Sequence, residues 1–302
     1  MGFSGLFGVM TMKKNSSGGA QLALFYGVYL LSMLIFGTNG LIVSHLSVPA
    51  GGIVLLRTLI GGAALTAVVL LRGGFDRAAV RADAMPLLLG GAALGCNWVA
   101  LFEAYRLLNV SLATLIYYAG PMLVLLLSPV LFCEKLSGWK LAALGIVAVG
   151  LVCISGSIAS GAMRPAGLLT AALSGLFYAA LIVFNKRIVR TGGLQTAAIE
   201  LDVAFVVVLV YVLLTSGLPR LVRAELPYIA IIGLVNTALA YLLYFTGLQR
   251  LPASSVALLS YADPVSALLF AALLLEESMT PLQLFGAVLI LGGAILGELR
   301  RR

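Results

Sequence analysis

Residues 117–150 read YYAGPMLVLLLSPVLFCEKLSGWKLAALGIVAVG, and residues 260–293 read SYADPVSALLFAALLLEESMTPLQLFGAVLILGG. Laid together at an offset of 143 residues, the two stretches keep Tyr118 over Tyr261, Pro121 over Pro264, Glu134 over Glu277 and Gly150 over Gly293. The same register sets Ser111 over Ser254. Ser32 to Phe36 can be laid over Ser174 to Tyr178 at nearly the same offset. Chance rarely keeps a Pro, a Glu and a Gly in one register, so the chain contains an internal duplication.

Composition gives the medium in which the duplication folds. Of 302 residues, 62% are hydrophobic and 10% charged. A soluble domain of this size would be about half apolar and a quarter charged, so an ordinary soluble enzyme is excluded and lipid is the expected solvent. Apolar runs bounded by charges, Pro or Gly fall at about 21–43, 50–71, 85–107, 110–132, 138–158, 165–186, 196–215, 226–248, 252–275 and 280–298. A crossing takes roughly 20 residues, and a helix satisfies its own backbone inside lipid. The expectation is an all-α membrane protein of ten transmembrane helices. The short alternating segments of a β-barrel are missing.

The net charge of +8 does not call for nucleic acid, because the basic residues are strung between the apolar runs. Lys13 and Lys14, the Arg72, Arg77 and Arg81 loop, Lys135 and Lys140, Lys186 to Arg190, Arg250 and the tail Arg300 to Arg302 share one side. Arg106, Arg164, Arg220 and Arg223 fall on the other, and Arg57 lies within a helix. The excess predicts both termini in the cytoplasm. No basic n-region precedes the first apolar stretch, so a cleaved signal peptide is not expected. Short loops favour a bacterial inner membrane. The organisation expected is a cytoplasmic segment over 1–20, five-helix repeats over 21–158 and 165–298 joined by a 159–164 linker, and a basic tail over 299–302.

Five crossings is an odd number, so the second repeat must enter the membrane upside down relative to the first. Inverted repeats recur in secondary transporters, with the substrate site between the halves and alternating access as the mechanism. Ten crossings in two such halves, with the two quoted stretches each following a short small-residue turn, resemble the paired EamA domains of the drug/metabolite transporter superfamily. The resemblance implies movement of amino acids, other small metabolites or quaternary amines, driven by an ion gradient or by exchange.

Candidate site residues are those that cost energy where they stand, since a charge at mid-membrane costs roughly 2.5 kcal/mol or more. Asp263 stands halfway along the ninth helix, directly before Pro264, which removes a backbone hydrogen bond. It is read as the group that binds a proton or a substrate amine and couples protonation to switching. Its counterpart in the first repeat is Gly120. Arg57 and Glu103 are placed at similar depth, either as a structural pair or as a substrate-binding outer gate or clamp in which Arg57 receives a substrate carboxylate when Glu103 releases it, while Arg106 is a rival partner for Glu103. Glu200 is assigned to the positive end of the seventh helix, Asp202 to a deeper face. Glu134 and Glu277 are given structural roles at helix-to-helix turns.

The middle layer is rich in aromatics and amides. Asn97, Trp98, Tyr118, Tyr178 and Asn236 are chosen as cavity lining, because buried aromatic faces suit an ammonium group, with Tyr117, Tyr241, Tyr244 and Tyr261 in the same layer. Cys96, Cys133 and Cys153 are isolated, His45 is the single His, and no GxxxxGK[ST] phosphate loop occurs. Neither catalytic residues nor a metal or cofactor are therefore expected, and ATP is not the energy source. The function expected is secondary export of a small zwitterion such as an amino acid, by a monomer or weak homodimer whose partners are substrate, lipid and candidate coupling protons. A quaternary-amine or drug carrier is the alternative. An intramembrane transferase or a non-transporting scaffold would leave the duplication unexplained.

Overall fold

The computed structural model describes residues 19–108, 110–154, 164–274 and 280–299. Residues 1–18 of the N-terminal segment, 155–163, Glu277, the 300–302 tail and the side chain of Ser111 lie outside that description.

Every regular element among the described residues is helical. Among the described residues, eight helices are long and apolar enough to cross a membrane: α1 (Gln21–Val43), α2 (Ala50–Leu71), α3 (Ala84–Leu107), α4 (Leu112–Phe132), α6 (Pro165–Arg187), α7 (Gly193–Thr215), α8 (Arg223–Leu248) and α9 (Ala253–Leu274). Two shorter apolar helices, α5 (Gly138–Ile154) and α10 (Pro281–Gly297), occupy the fifth and tenth runs. Starts and stops follow local chemistry. Pro49 and Pro252 precede α2 and α9, and Pro165 opens α6 where its missing N–H costs nothing. Cys133 takes the left-handed conformation (φ 54°) that closes α4, while Glu134 N–H bonds Ser128 O six residues back.

The packing repeats as the sequence does. α6 packs on α3 and α4 as α1 packs on α8 and α9; α7 packs on α3 as α2 packs on α8. Three further partnerships, α2 with α7, α4 with α9 and α5 with α10, join each helix to its own repeat counterpart. Exchanging the two halves therefore carries the most extensive helix packings onto one another. Small residues set how closely the axes approach: a Cβ added at Gly150 would lie 2.8 Å from Gly286 O, and one at Gly286 would lie 2.7 Å from Gly150 O.

Four of these helices are interrupted along their length. α1 breaks at Thr38, α4 at Tyr118 and α9 at Ser260–Tyr261, and α8 widens to a π turn over Leu234–Leu239. In α4 and α9 the cause is the repeated Pro. Pro121 and Pro264 each sit in the first turn of a new half-helix, Ala119–Phe132 and Ala262–Leu274, and around Ser260 the bonds tighten to Tyr261 N–H to Leu258 O and Asp263 N–H to Ser260 O. In α1, Thr38 Oγ1 donates back to Ile35 O at 2.7 Å.

Gly120 shows why its repeat position carries an acid in only one half. A Cβ there would lie 2.5 Å from Gly175 O and 3.1 Å from the Tyr178 ring, so α4 and α6 meet backbone to backbone. Gly120→Ala is expected to lower stability by about 1–3 kcal/mol through overpacking, read as a lower thermal midpoint of the detergent-solubilised protein. A parent-like midpoint would show that α6 can move aside.

Candidate substrate site between the halves

The breaks in α1, α4 and α9 and the π turn of α8 bring polar groups from both halves into one layer. On one side is Arg57 of α2, buried. Its Nε donates to Thr237 Oγ1 at 2.8 Å and its Nη2 to Asn236 O at 3.1 Å, both in the π turn. The guanidinium lies 5.2 Å over the Trp98 ring, a cation–π contact. Nη1 makes no hydrogen bond among the described residues.

On the other side is Asp263, half-buried in the first turn of its half-helix, where the helix dipole stabilises negative charge. Its Oδ2 accepts from Tyr118 OH at 3.1 Å, and its Oδ1 has no hydrogen-bond partner among the described residues. Tyr261 returns the contact by donating to Tyr118 O at 2.9 Å, so the two repeat-related tyrosines clasp α4 to α9. Arg57 and Asp263 are each tethered by neutral groups rather than by one another, and each keeps hydrogen-bonding capacity in reserve.

Aromatic rings fill the layer between them. Trp98 meets Tyr241 edge-on at 5.5 Å, Tyr241 meets Tyr244 at 5.8 Å, and Tyr244 meets Tyr29 at 5.4 Å. Across the layer, Tyr117 contacts Tyr118 at 5.1 Å and Tyr178 at 5.4 Å. Ser260, at the α9 break, joins the two groups: its hydroxyl bonds Val256 O at 2.8 Å and meets Tyr29 OH at 2.8 Å and Tyr178 OH at 2.9 Å. Tyr29, Ser260 and Thr237 are not among the residues chosen from sequence. The polar pair Asn236–Thr237 in an apolar run, and the turn before Pro264, were the available signals.

Other chosen residues have different surroundings. Asn97 Nδ2 donates to Ser174 O at 2.8 Å and Ser174 Oγ at 3.1 Å, with Ser174 Oγ donating back to Asn97 O, so its amide is engaged between α3 and α6. Asn236 Nδ2 reaches the α1 break, donating to Thr38 Oγ1 at 2.8 Å, Ile35 O at 2.9 Å and Asn39 Oδ1 at 3.2 Å. Glu103 pairs with Arg106 at 2.8 Å, one turn away on the same helix face, and accepts from Tyr211 OH; among the described residues it makes no ion pair with Arg57. Glu200 requires a correction. α7 begins at Gly193 rather than 196, so Glu200 is its eighth residue, about two turns from the positive end, where it is fully buried and held by Asn185 Nδ2 at 2.9 and 3.0 Å. Asp202, on another face, accepts from Thr66 Oγ1 at 2.7 Å.

One end of the bundle is tied across the halves. Glu134, at the end of α4, accepts from Ala253 N–H at 2.6 Å and Ser254 N–H at 3.0 Å, capping α9, and Lys140 Nζ donates to Ser254 Oγ at 2.6 Å. Lys186 donates to Leu248 O at 2.5 Å and to Leu251 O. At the opposite end, Glu225 accepts from Ser47 N–H and Oγ at 3.0 and 2.5 Å.

A duplicated helical membrane protein with charged and aromatic groups converging between its halves is a membrane transporter of small molecules in its general plan. Residues 22–156 and 165–297 each match the EamA-like transporter family, and the chain belongs to that family. It is 26% identical over 276 residues to the uncharacterized transporter YxxF of Bacillus subtilis (strain 168), covering 90% of this chain and 88% of that one. It is 30% identical over 216 residues to Protein PecM of Dickeya dadantii (strain 3937), covering 69% and 71%. A crystal structure with 25% sequence identity superposes with a TM-score of 0.80 over 92% of this chain and 99% of its own. The substrate is a small molecule and the surroundings are lipid.

Proposed function

We propose that this chain is a secondary carrier that exports a small zwitterion of the amino-acid type. Ten crossings in two inverted halves, 21–158 and 165–298, would alternate access around the layer between Arg57 and Asp263. Both termini lie in the cytoplasm of a bacterial inner membrane, and the working unit is a monomer or weak homodimer without enzymatic activity. The observation that carries the reading is that a cation and an anion share one aromatic layer, each tethered by neutral partners with hydrogen-bonding capacity unspent. A substrate carboxylate fits Arg57, and a substrate amine fits Asp263, with Trp98, Tyr118, Tyr178 and Tyr241 supplying shape. Protons compete with the amine for Asp263, and that competition supplies the coupling. A quaternary-amine carrier would also use the aromatic layer, but Arg57 would repel its cargo.

Ligands of the native state raise apparent stability by mass action. Thermal unfolding of purified protein across amino acids, quaternary amines and sugars is expected to shift upward with amino acids, and Arg57→Ala is expected to abolish the shift. Stabilisation by quaternary amines alone, unaffected by Arg57→Ala, contradicts the proposal.

A further inference from the structure

The π turn in α8 stands directly against Arg57. Such turns concentrate at functional positions. Thr237, fully buried within it, spends its one hydroxyl proton on Ile232 O at 2.8 Å, five residues back, a carbonyl that an α turn would give to the N–H four residues on. With its proton so committed, Oγ1 can only accept, and it accepts Arg57 Nε–H at 2.8 Å. The hydroxyl is also fixed in place: Gly61, one turn beyond Arg57 on α2, has its Cα facing the Thr237 methyl, and a Cβ there would lie 2.6 Å from Thr237 Cγ2.

We infer that Thr237 is a positioning residue that sets selectivity for carboxylate-bearing substrates, by holding the Nε edge of Arg57 so that Nη1 is presented to the ligand. The inference rests on the carboxylate role of Arg57 proposed above. An arginine on a long, flexible stem loses rotamer freedom when it binds, and a tether made beforehand removes that loss from the binding step. The same neighbour Asn236 lends its carbonyl to Arg57 and its amide to the α1 break, so the held guanidinium is in register with both interrupted helices.

The experiment uses the full chain in proteoliposomes, with L-leucine and isopentylamine as probes; they share a carbon skeleton and differ by the carboxylate. Thr237→Val keeps the volume and removes the hydroxyl, and is expected to raise KM for L-leucine on the order of tenfold with kcat little changed and isopentylamine unaffected. Thr237→Ser is expected to restore the parent KM. A second readout needs no substrate. The chain has two Trp residues, and in a Trp139→Phe background the emission of Trp98 reports the guanidinium above it; Thr237→Val is expected to shift that emission as Arg57→Lys does, and Thr237→Ser is not. Parent-like KM and emission in Thr237→Val, or a Ser variant as impaired as the Val variant, overturns the assignment. Should Arg57→Ala leave KM for L-leucine unchanged, the reading of Arg57 has failed and takes this assignment with it. An impaired Arg57→Ala beside an unimpaired Thr237→Val condemns the assignment alone.

Discussion

Replacing Arg57 by alanine is expected to lower kcat/KM for L-leucine on the order of 100-fold, the loss of two charge-assisted hydrogen bonds at about 1.5 kcal/mol each. Isopentylamine, which offers no carboxylate, is expected to be transported no worse by the variant than by the parent. The truncation also removes the donors to Thr237 and Asn236 O and the contact with Trp98, so a second variant separates recognition from folding. Arg57→Lys keeps the charge and loses the planar fork, and is expected to fold with a parent-like thermal midpoint while remaining impaired for L-leucine. Equal impairment for both probes would mean that Arg57 supports the helices rather than the ligand.

Asp263→Asn is expected to abolish accumulation driven by an imposed pH gradient. The change is isosteric, and Tyr118 OH can donate to an amide oxygen as it does to the carboxylate at 3.1 Å, so the clasp between α4 and α9 survives and the fold with it. What is lost is the charge that binds the amine and the proton in turn. KM for L-leucine is expected to rise about tenfold or more, from the loss of one charge-assisted contact. Flux assays with and without the gradient, in vesicles made from equal amounts of folded protein, check both effects. A variant that still accumulates L-leucine against its gradient places the coupling group elsewhere, and buried Glu200 is then the next carboxyl to replace.

How far the sequence reaches depends on what each residue answers to. The duplication was legible because Pro121, Pro264 and Gly150 act on their own helices or on their repeat partners, and such constraints recur at a fixed offset. The break before Asp263 was legible in the same way, since a missing N–H is a local fact. The break at Thr38 and the π turn at Leu234–Leu239 were not, because no Pro marks them; they are stabilised across the bundle, by Asn236 filling Ile35 O and by Arg57 filling Asn236 O. The partner of Glu103 stayed open in sequence because depth alone allowed Arg57 and Arg106 equally, and only the direction of each side chain separates them. Asn97 and Trp98 are adjacent and were chosen together, yet successive helical positions point to different faces, and one is bound into α6 while the other lies under Arg57. Glu200 was read as an acid at the positive end of α7; its burial depends on the Asn185 amide of α6, a partner that sequence position alone does not show.

A carrier that alternates between states open to opposite sides of the membrane exchanges its substrate across it, and counterflow measures that exchange. Proteoliposomes loaded with unlabelled L-leucine and diluted into labelled L-leucine, with no nucleotide present, are expected to accumulate label transiently, whereas vesicles holding Arg57→Ala or no internal substrate are not. Label that enters empty and loaded vesicles alike, at a rate indifferent to Arg57, would show that the chain does not carry a zwitterion by alternating access.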